Sequence, residues 1–336
     1  MRSSRKHFTK ADDGTITAPK TRKPLPEHYK NAIEKYLTIW DELFEKAQEA
    51  DEFQFIFALL RFKGMQSSGW DTFENTIDAF EGAMKASRRV DGTRKLNLLL
   101  WLYGHIVEAS DHYEIIANMV NIAGGEEYHA WNFPKIRTRR GMREQTPNEK
   151  ILAIQANCQR LGLKDYTEPF TEVLDKELRN AIYHSDYSAY EGKVRFRSSS
   201  GFDVEYDVDK TNRIVNQSMA LHETIKNLVR SYTASYTEPK LIDPSASFSQ
   251  GRPMKAQLIV RKRHGVIAMK EVPDHSAAFM VGIFQLGEKE KIEKGIYLLP
   301  RSKSDALNKV LDRTPQPLAR RIVKLYRYLH RNHYRV

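Results

Sequence analysis

Between Asp175 and Tyr187 the chain reads Asp-Lys-Glu-Leu-Arg-Asn-Ala-Ile-Tyr-His-Ser-Asp-Tyr, which puts Arg179, Asn180 and His184 in an Arg-Asn-x3-His spacing. An imidazole titrates near neutrality, so His184 is suited to giving or taking a proton. A guanidinium keeps its charge and offers a planar fork of donors, so Arg179 is suited to steadying negative charge on phosphoryl oxygens. On a helix of about 100° per residue, Asn180 lies one turn from His184 and can hydrogen-bond the imidazole to fix its orientation. Arg179 and Tyr183 form a second such pair. They face away from Phe170, Leu174, Leu178, Ala181 and Ile182, which share one buried stripe. Arg179 and His184 themselves stand about 140° apart. One straight helix therefore aims them poorly at a single phosphate, whereas a twofold pairing of two such helices brings both pairs into one cleft. The bare Arg-x4-His spacing also occurs at Arg2 and His7, and nearly so at Arg327 and His333. Asn180 and the apolar frame distinguish the Arg179 copy.

Other residues could support this chemistry. Glu108 or Asp111, on a preceding helix, can buttress Arg179 across a helix pair. His105, Glu108 and His112 fall at i, i+3 and i+7, a spacing that can hold a metal but more often marks the polar side of an amphipathic helix. No metal or other cofactor is expected. Arg137, Arg139, Arg140 and Arg143 lie in a basic loop that either contacts phosphates or is simply solvated. Near the C-terminus, Arg320, Lys324, Arg327 and Arg331 make a basic stripe beside Tyr326, Tyr328 and Tyr334, a mixture suited to single-stranded nucleic acid. The same stripe also reads as a basic face lying over an ordinary core. Cys158 sits in an apolar helical context and reads as a small core residue.

The elements that position these groups follow from periodicity. Residues 1–26 are rich in Thr, Lys and Pro and read as a basic disordered tail. Tyr29, Ile33, Tyr36, Leu37, Trp40, Leu43 and Phe44 keep the spacing of one buried helical face. A second helix covers Phe53–Phe62, Gly64–Gly69 breaks it, and Trp70–Ala86 is a third. Leu96–Ala123 reads as one long helix stopped by Gly124-Gly125. After the basic loop from Pro134 to Pro147, helices resume at Pro147–Leu161 and Glu168–His184. Lys193–Arg197 and Phe202–Val208 alternate as a short hairpin. Asp209 can cap a helix running to about Tyr232. Residues 234–253 have a linker's composition. Beyond them, 254–336 read as a separate module: strands at Leu258–Val260, Val266–Lys270, Ala278–Phe284 and Ile296–Leu299, then helices at Ser304–Leu311 and Leu318–Asn332.

The charge is unevenly placed. The chain has 336 residues and a formal net charge of +11. Residues 1–26 supply +5 of this and 315–336 supply +6, so the stretch between is neutral. A neutral body with basic ends suits a polyanionic partner such as RNA; tails that merely aid solubility are the plainer reading. A single cysteine excludes an intrachain disulfide. The basic N-terminus lacks a following apolar stretch, so no secretory signal is expected. The longest apolar run, around Leu98–Tyr103, is far too short to span a bilayer. A cytoplasmic protein with no membrane association is the expectation.

The Arg179-Asn180-x3-His184 motif, with a long helix before it, a Gly-terminated loop carrying aromatic residues, and a hairpin after it, resembles the HEPN superfamily. The resemblance extends over about 94–233 and loosely over 27–93. It implies a mainly α fold: a HEPN-like helical bundle over 27–233 with a small β-hairpin, joined to a smaller α+β module. It implies metal-independent cleavage of RNA, with His184 as acid or base at the 2′-hydroxyl and leaving oxygen, Arg179 on the phosphoryl oxygens, and Asn180 orienting His184 or the phosphate. It also implies a homodimer and, in bacteria and their mobile elements, a toxin or anti-phage defence effector with an antitoxin or other regulatory partner. Degenerate members that only bind nucleic acid or act as scaffolds are the alternative the resemblance carries with it.

Overall fold

The structure, a computed structural model, describes residues 9–10, 16–17, 25–61, 72–139, 141–249, 254–261, 264–273, 279–288 and 291–300. Chain contacts divide at Ser235/Tyr236 into two compact units. The protein is mainly helical with small antiparallel sheets. Among the described residues no helix is long and apolar enough to cross a membrane.

In the N-terminal stretch expected to be disordered, β1 (Thr9–Lys10) and β2 (Ile16–Thr17) pair antiparallel. Helix α1 (Glu27–Ala50) then buries Ile33, Tyr36, Leu37, Trp40, Leu43 and Phe44, the stripe its periodicity predicts. The extended residue Asp51 ends it and caps α2 (Glu52–Leu60) by accepting from the Gln54 amide at 2.9 Å. The predicted break at 64–69 lies outside the described residues. It is followed by α3 (Thr72–Ser87). The core gathers where α1 meets the later helices. Trp40 packs on Phe170 with ring centres 5.2 Å apart and donates its indole N–H to the Tyr166 carbonyl at 3.0 Å.

The long helix expected over Leu96–Ala123 is in fact two, α4 (Gly92–Glu108) and α5 (Ser110–Ala123), parted at the extended residue Ala109. Two side chains of α5 explain the break. Tyr113 donates to the Val107 carbonyl at 2.7 Å, and a ring nitrogen of His112 lies 3.3 Å from the Ile106 carbonyl. Carbonyls that a continuing helix would satisfy are satisfied laterally instead. The predicted stop is in place: Gly124 caps α5 and Gly125 takes φ +82°. The longest helix among the described residues is α9 (Val208–Ser235), on which Asp207, not Asp209, caps the first turn through the Lys210 amide at 2.7 Å.

The expected basic loop contains a hairpin, β3 (Ile136–Thr138) with β4 (Gly141–Arg143), before α6 (Pro147–Arg160) begins at a capping box of Thr146 and Glu149. The helix expected over Glu168–His184 is also two, α7 (Glu168–Val173) and α8 (Lys176–His184). The junction shifts the helical phase, which leaves Leu174 only partly buried while Leu178, Ala181 and Ile182 stay inside. The hairpin that follows gains a strand: β5 (Tyr187–Tyr190), β6 (Lys193–Arg197) and β7 (Asp203–Tyr206) form an antiparallel meander.

In the second unit the presumed linker is partly structured. Its Leu241–Ile242 pair (β8) adds an edge strand to β9 (Met254–Arg261), with Ile242 opposite Ala256 and both buried. Residues Ala246–Ser249 form a one-turn helix, α10. Strands β10 (Gly265–Pro273), β11 (Phe279–Glu288) and β12 (Lys291–Pro300) complete a five-stranded antiparallel meander in the order β12-β11-β10-β9-β8. The helices predicted beyond 301 lie outside the described residues.

Candidate functional site

The motif helix α8 is held at its first residue. Asp175 caps it, accepting from the Leu178 amide at 2.9 Å and from the Tyr206 hydroxyl at 2.7 Å. From α4 the fully buried Tyr103 hydroxyl accepts the Asp175 N–H at 3.0 Å and reaches the carbonyls of Asp175 and Val173 at 3.2 and 3.3 Å. These bonds are what part α7 from α8. At the other end Ser185 takes φ +55°, and the Asp186 amide reaches back to the Ala181 carbonyl at 2.9 Å. That closure ends the helix directly after His184. Gly104 lets α4 approach closely: a Cβ there would lie 3.2 Å from Ile182 Cγ2 and 3.5 Å from Tyr183 Cε2.

On this frame Arg179 is partly buried. Its Nε and one terminal nitrogen both grip the Glu108 carboxylate, the other donates to Asn180 Oδ1 at 2.8 Å, and the guanidinium lies 5.0 Å from the Tyr183 ring centre. Of the two supporting carboxylates considered, Glu108 therefore takes the role. Asp111 is buried on α5, where its charge acts on His112. The expected Asn180–His184 bond is replaced by the Asn180–Arg179 bond, because the adjacent guanidinium is a stronger donor to an amide oxygen than an imidazole. His184 is exposed, and among the described residues nothing hydrogen-bonds its ring. Tyr183 is 44 % exposed, and burial of the rest, with the Glu108 charge, pushes its phenol up to about 12. It stays neutral at physiological pH.

His105, grouped in the sequence with Glu108 and His112, is exposed and sets its ring edge-on to Tyr183, 6.2 Å between centres. His112 instead points into the core, where its Nε2 lies 3.0 Å from His222 Nδ1. Among the described residues no group of three His, Cys, Asp or Glu side chains is placed to hold a metal. Trp101, one turn before His105, is 58 % exposed. His105 and Tyr183 set two rings beside Arg179. A helical wheel of α8 alone does not reveal this, since His105 comes from α4.

The remaining basic candidates separate. Arg137 and Arg139 are exposed on the β3–β4 hairpin. Arg143 is committed to Glu149 through bonds of 2.6 and 2.8 Å and so steadies the α6 capping box. Arg140, Arg320, Lys324, Arg327 and Arg331 lie outside the described residues. Lys150, missed in the sequence as one more polar helix residue, is buried on α6. It donates to Ser110 at 2.7 Å, and burial lowers its pKa against the opposing charge of Glu108. Cys158 is buried, as a small core residue should be.

No protein-family model, no curated protein and no solved structure matches this chain.

Proposed function

We propose that the chain is a metal-independent endoribonuclease of HEPN type, acting as a homodimer. One observation carries this reading: Glu108 and Tyr183 hold the Arg179 guanidinium at the open face of α8, while His184 ends the same helix exposed. In the proposed reaction His184 takes the proton of a ribose 2′-hydroxyl, whose oxygen attacks phosphorus. Arg179 steadies the charge on the phosphoryl oxygens, assisted by Asn180. The 5′-oxygen leaves with a proton from the His184 of the second copy, giving a 2′,3′-cyclic phosphate and a 5′-hydroxyl. The twofold pairing answers the separation of Arg179 and His184 around the helix, and the exposed rings of Trp101 and Tyr183 offer surface for the contact. A toxin or anti-phage defence role, a regulatory or antitoxin partner and a cytoplasmic location belong to the same proposal through the HEPN resemblance.

A second reading, a non-catalytic nucleic-acid-binding or scaffold protein, is favoured by the Glu108–Arg179 pair itself, since a matched arginine has less charge to offer a phosphate. The deciding experiment incubates the chain with RNA and with DNA in EDTA. The nuclease reading expects RNA cut to cyclic-phosphate ends, DNA untouched, and a loss of about 10²–10⁴ in rate for His184→Ala with RNA binding kept. Unchanged cleavage by His184→Ala, or activity that needs magnesium, defeats it.

A further inference from the structure

A second site lies on the α5–α6 side of the same unit. Residues 128–132, which follow the Gly124-Gly125 turn, are pinned by three helix side chains. Asn118 brackets the backbone of His129, accepting its N–H at 2.8 Å and donating to its carbonyl at 3.0 Å. Gln54 accepts the Tyr128 N–H at 3.0 Å, and Glu114 accepts the backbone and side-chain N–H groups of Asn132 at 3.0 and 2.8 Å. Asn118 and Gln54 are themselves buried. Between these anchors stands Trp131, 60 % exposed. A fold that fixes a loop with buried polar groups and leaves a large indole mostly exposed at its tip departs from what packing alone favours, and such departures mark binding sites.

Beneath Trp131 is a cleft of about 350 Å³ with Ala117 and Ile154 among its apolar lining and Asn121, Asn132 and Asn157 among its polar lining. The amides form one chain: Arg160 donates to Asn157 Oδ1 at 3.0 Å, Asn157 to Asn121, Asn121 to Asn132 Oδ1 at 2.9 Å, and Asn132 to Glu114. A guanidinium can only donate and a carboxylate can only accept, so these ends set the orientation of all three amides. In that orientation Asn157 keeps one spare N–H and Asn132 one spare carbonyl lone pair. At the rim Arg160 is matched bidentately by Glu126, at 2.5 and 2.7 Å, and so is not a dedicated phosphate site.

We propose that this cleft binds an unpaired nucleobase, its ring on Trp131 and its edge on Asn157 and Asn132. A nucleobase edge carries both donors and acceptors, which the spare N–H of Asn157 and the spare lone pair of Asn132 can meet, and an exposed indole is a platform for an unstacked base. The volume is at the lower end of the range for small-molecule sites, about 300–1,000 Å³. The base can come from a free nucleoside or nucleotide or from an RNA strand.

Calorimetric titration of the full chain with adenosine, and separately with 2′-O-methyl hexaadenylate, tests the site. Neither probe can be cut by a 2′-hydroxyl route, so the result is independent of whether the chain is a nuclease. Saturable binding of either probe is expected, weakened about tenfold or more by Trp131→Ala and by Asn157→Ala, with Trp131→Phe recovering part of the loss. Adenosine binding as tightly as the oligomer assigns the site to free ligands; an oligomer preference that keeps the Trp131 dependence assigns it to a strand. No saturation by either probe up to millimolar concentration, or binding indifferent to Trp131→Ala in a variant with wild-type circular dichroism, overturns the proposal.

Discussion

The Arg179 guanidinium and the Glu108 carboxylate clasp each other across two helices, with Nε and a terminal nitrogen of the arginine meeting one carboxylate oxygen. Both side chains are about a quarter exposed, at 23 % and 26 %. Glu108 thus fixes where the motif arginine points. Glu108→Ala is expected to lower stability by about 1–2 kcal/mol and, if the chain is a nuclease, to reduce kcat for RNA at least tenfold with KM little changed. Steady-state kinetics with thermal unfolding read both. A variant that binds RNA more tightly while its rate holds would show that Glu108 masks Arg179 rather than aims it.

Tyr103 controls the same arginine from the start of the helix. Tyr103→Phe removes the buried hydroxyl from the Asp175 N–H and the Val173 and Asp175 carbonyls, which keep their backbone partners. The expected cost is about 0.5–1.5 kcal/mol, measured as a shift in the urea midpoint. A ring-preserving change with no effect would mean that the Asp175 cap alone sets the start of α8.

Acid should destabilise the fold through its buried histidine pair. His112 Nδ1 must donate to the Ile106 carbonyl, so its Nε2 accepts from His222 Nδ1, and the neutral His222 is left with a bare Nε2 that is buried without a hydrogen-bond partner among the described residues. Phe73 and Phe80 face the two rings. Burial depresses both pKa values. That of His112 falls to about 4 despite the opposing charge of Asp111, while Lys226 and Arg230 push His222 further down. Below the ordinary histidine value of about 6.5 the unfolded chain binds the protons that the folded chain refuses. The stability contributed by neutral burial is therefore complete above that value and falls as the pH drops towards 4, by up to about 1.4 kcal/mol per pH unit for each histidine. Urea unfolding between pH 7.5 and 4.5 measures the slope. A His112→Gln, His222→Leu double variant with an unchanged slope would assign it to other groups.

Local chemistry made much of the site legible in the sequence. The α1 stripe, the Gly124 stop and the close Arg179–Tyr183 pairing all depend on residues within a few positions of one another. Periodicity and capping act at that range. What the sequence left open was settled by partners far away along the chain. Glu108 rather than Asp111 holds Arg179: Glu108 ends α4, the helix that packs on α8, whereas Asp111 is buried on α5 beyond the break. The division of Glu168–His184 into two helices depends on Tyr103, which competes for backbone groups that the local sequence would leave to the helix. Leu241–Ile242 is too short to announce itself as a strand and becomes one because β9 supplies the missing hydrogen bonds. In the last two cases a backbone group needed a partner, and only the assembled fold brought the distant one within reach.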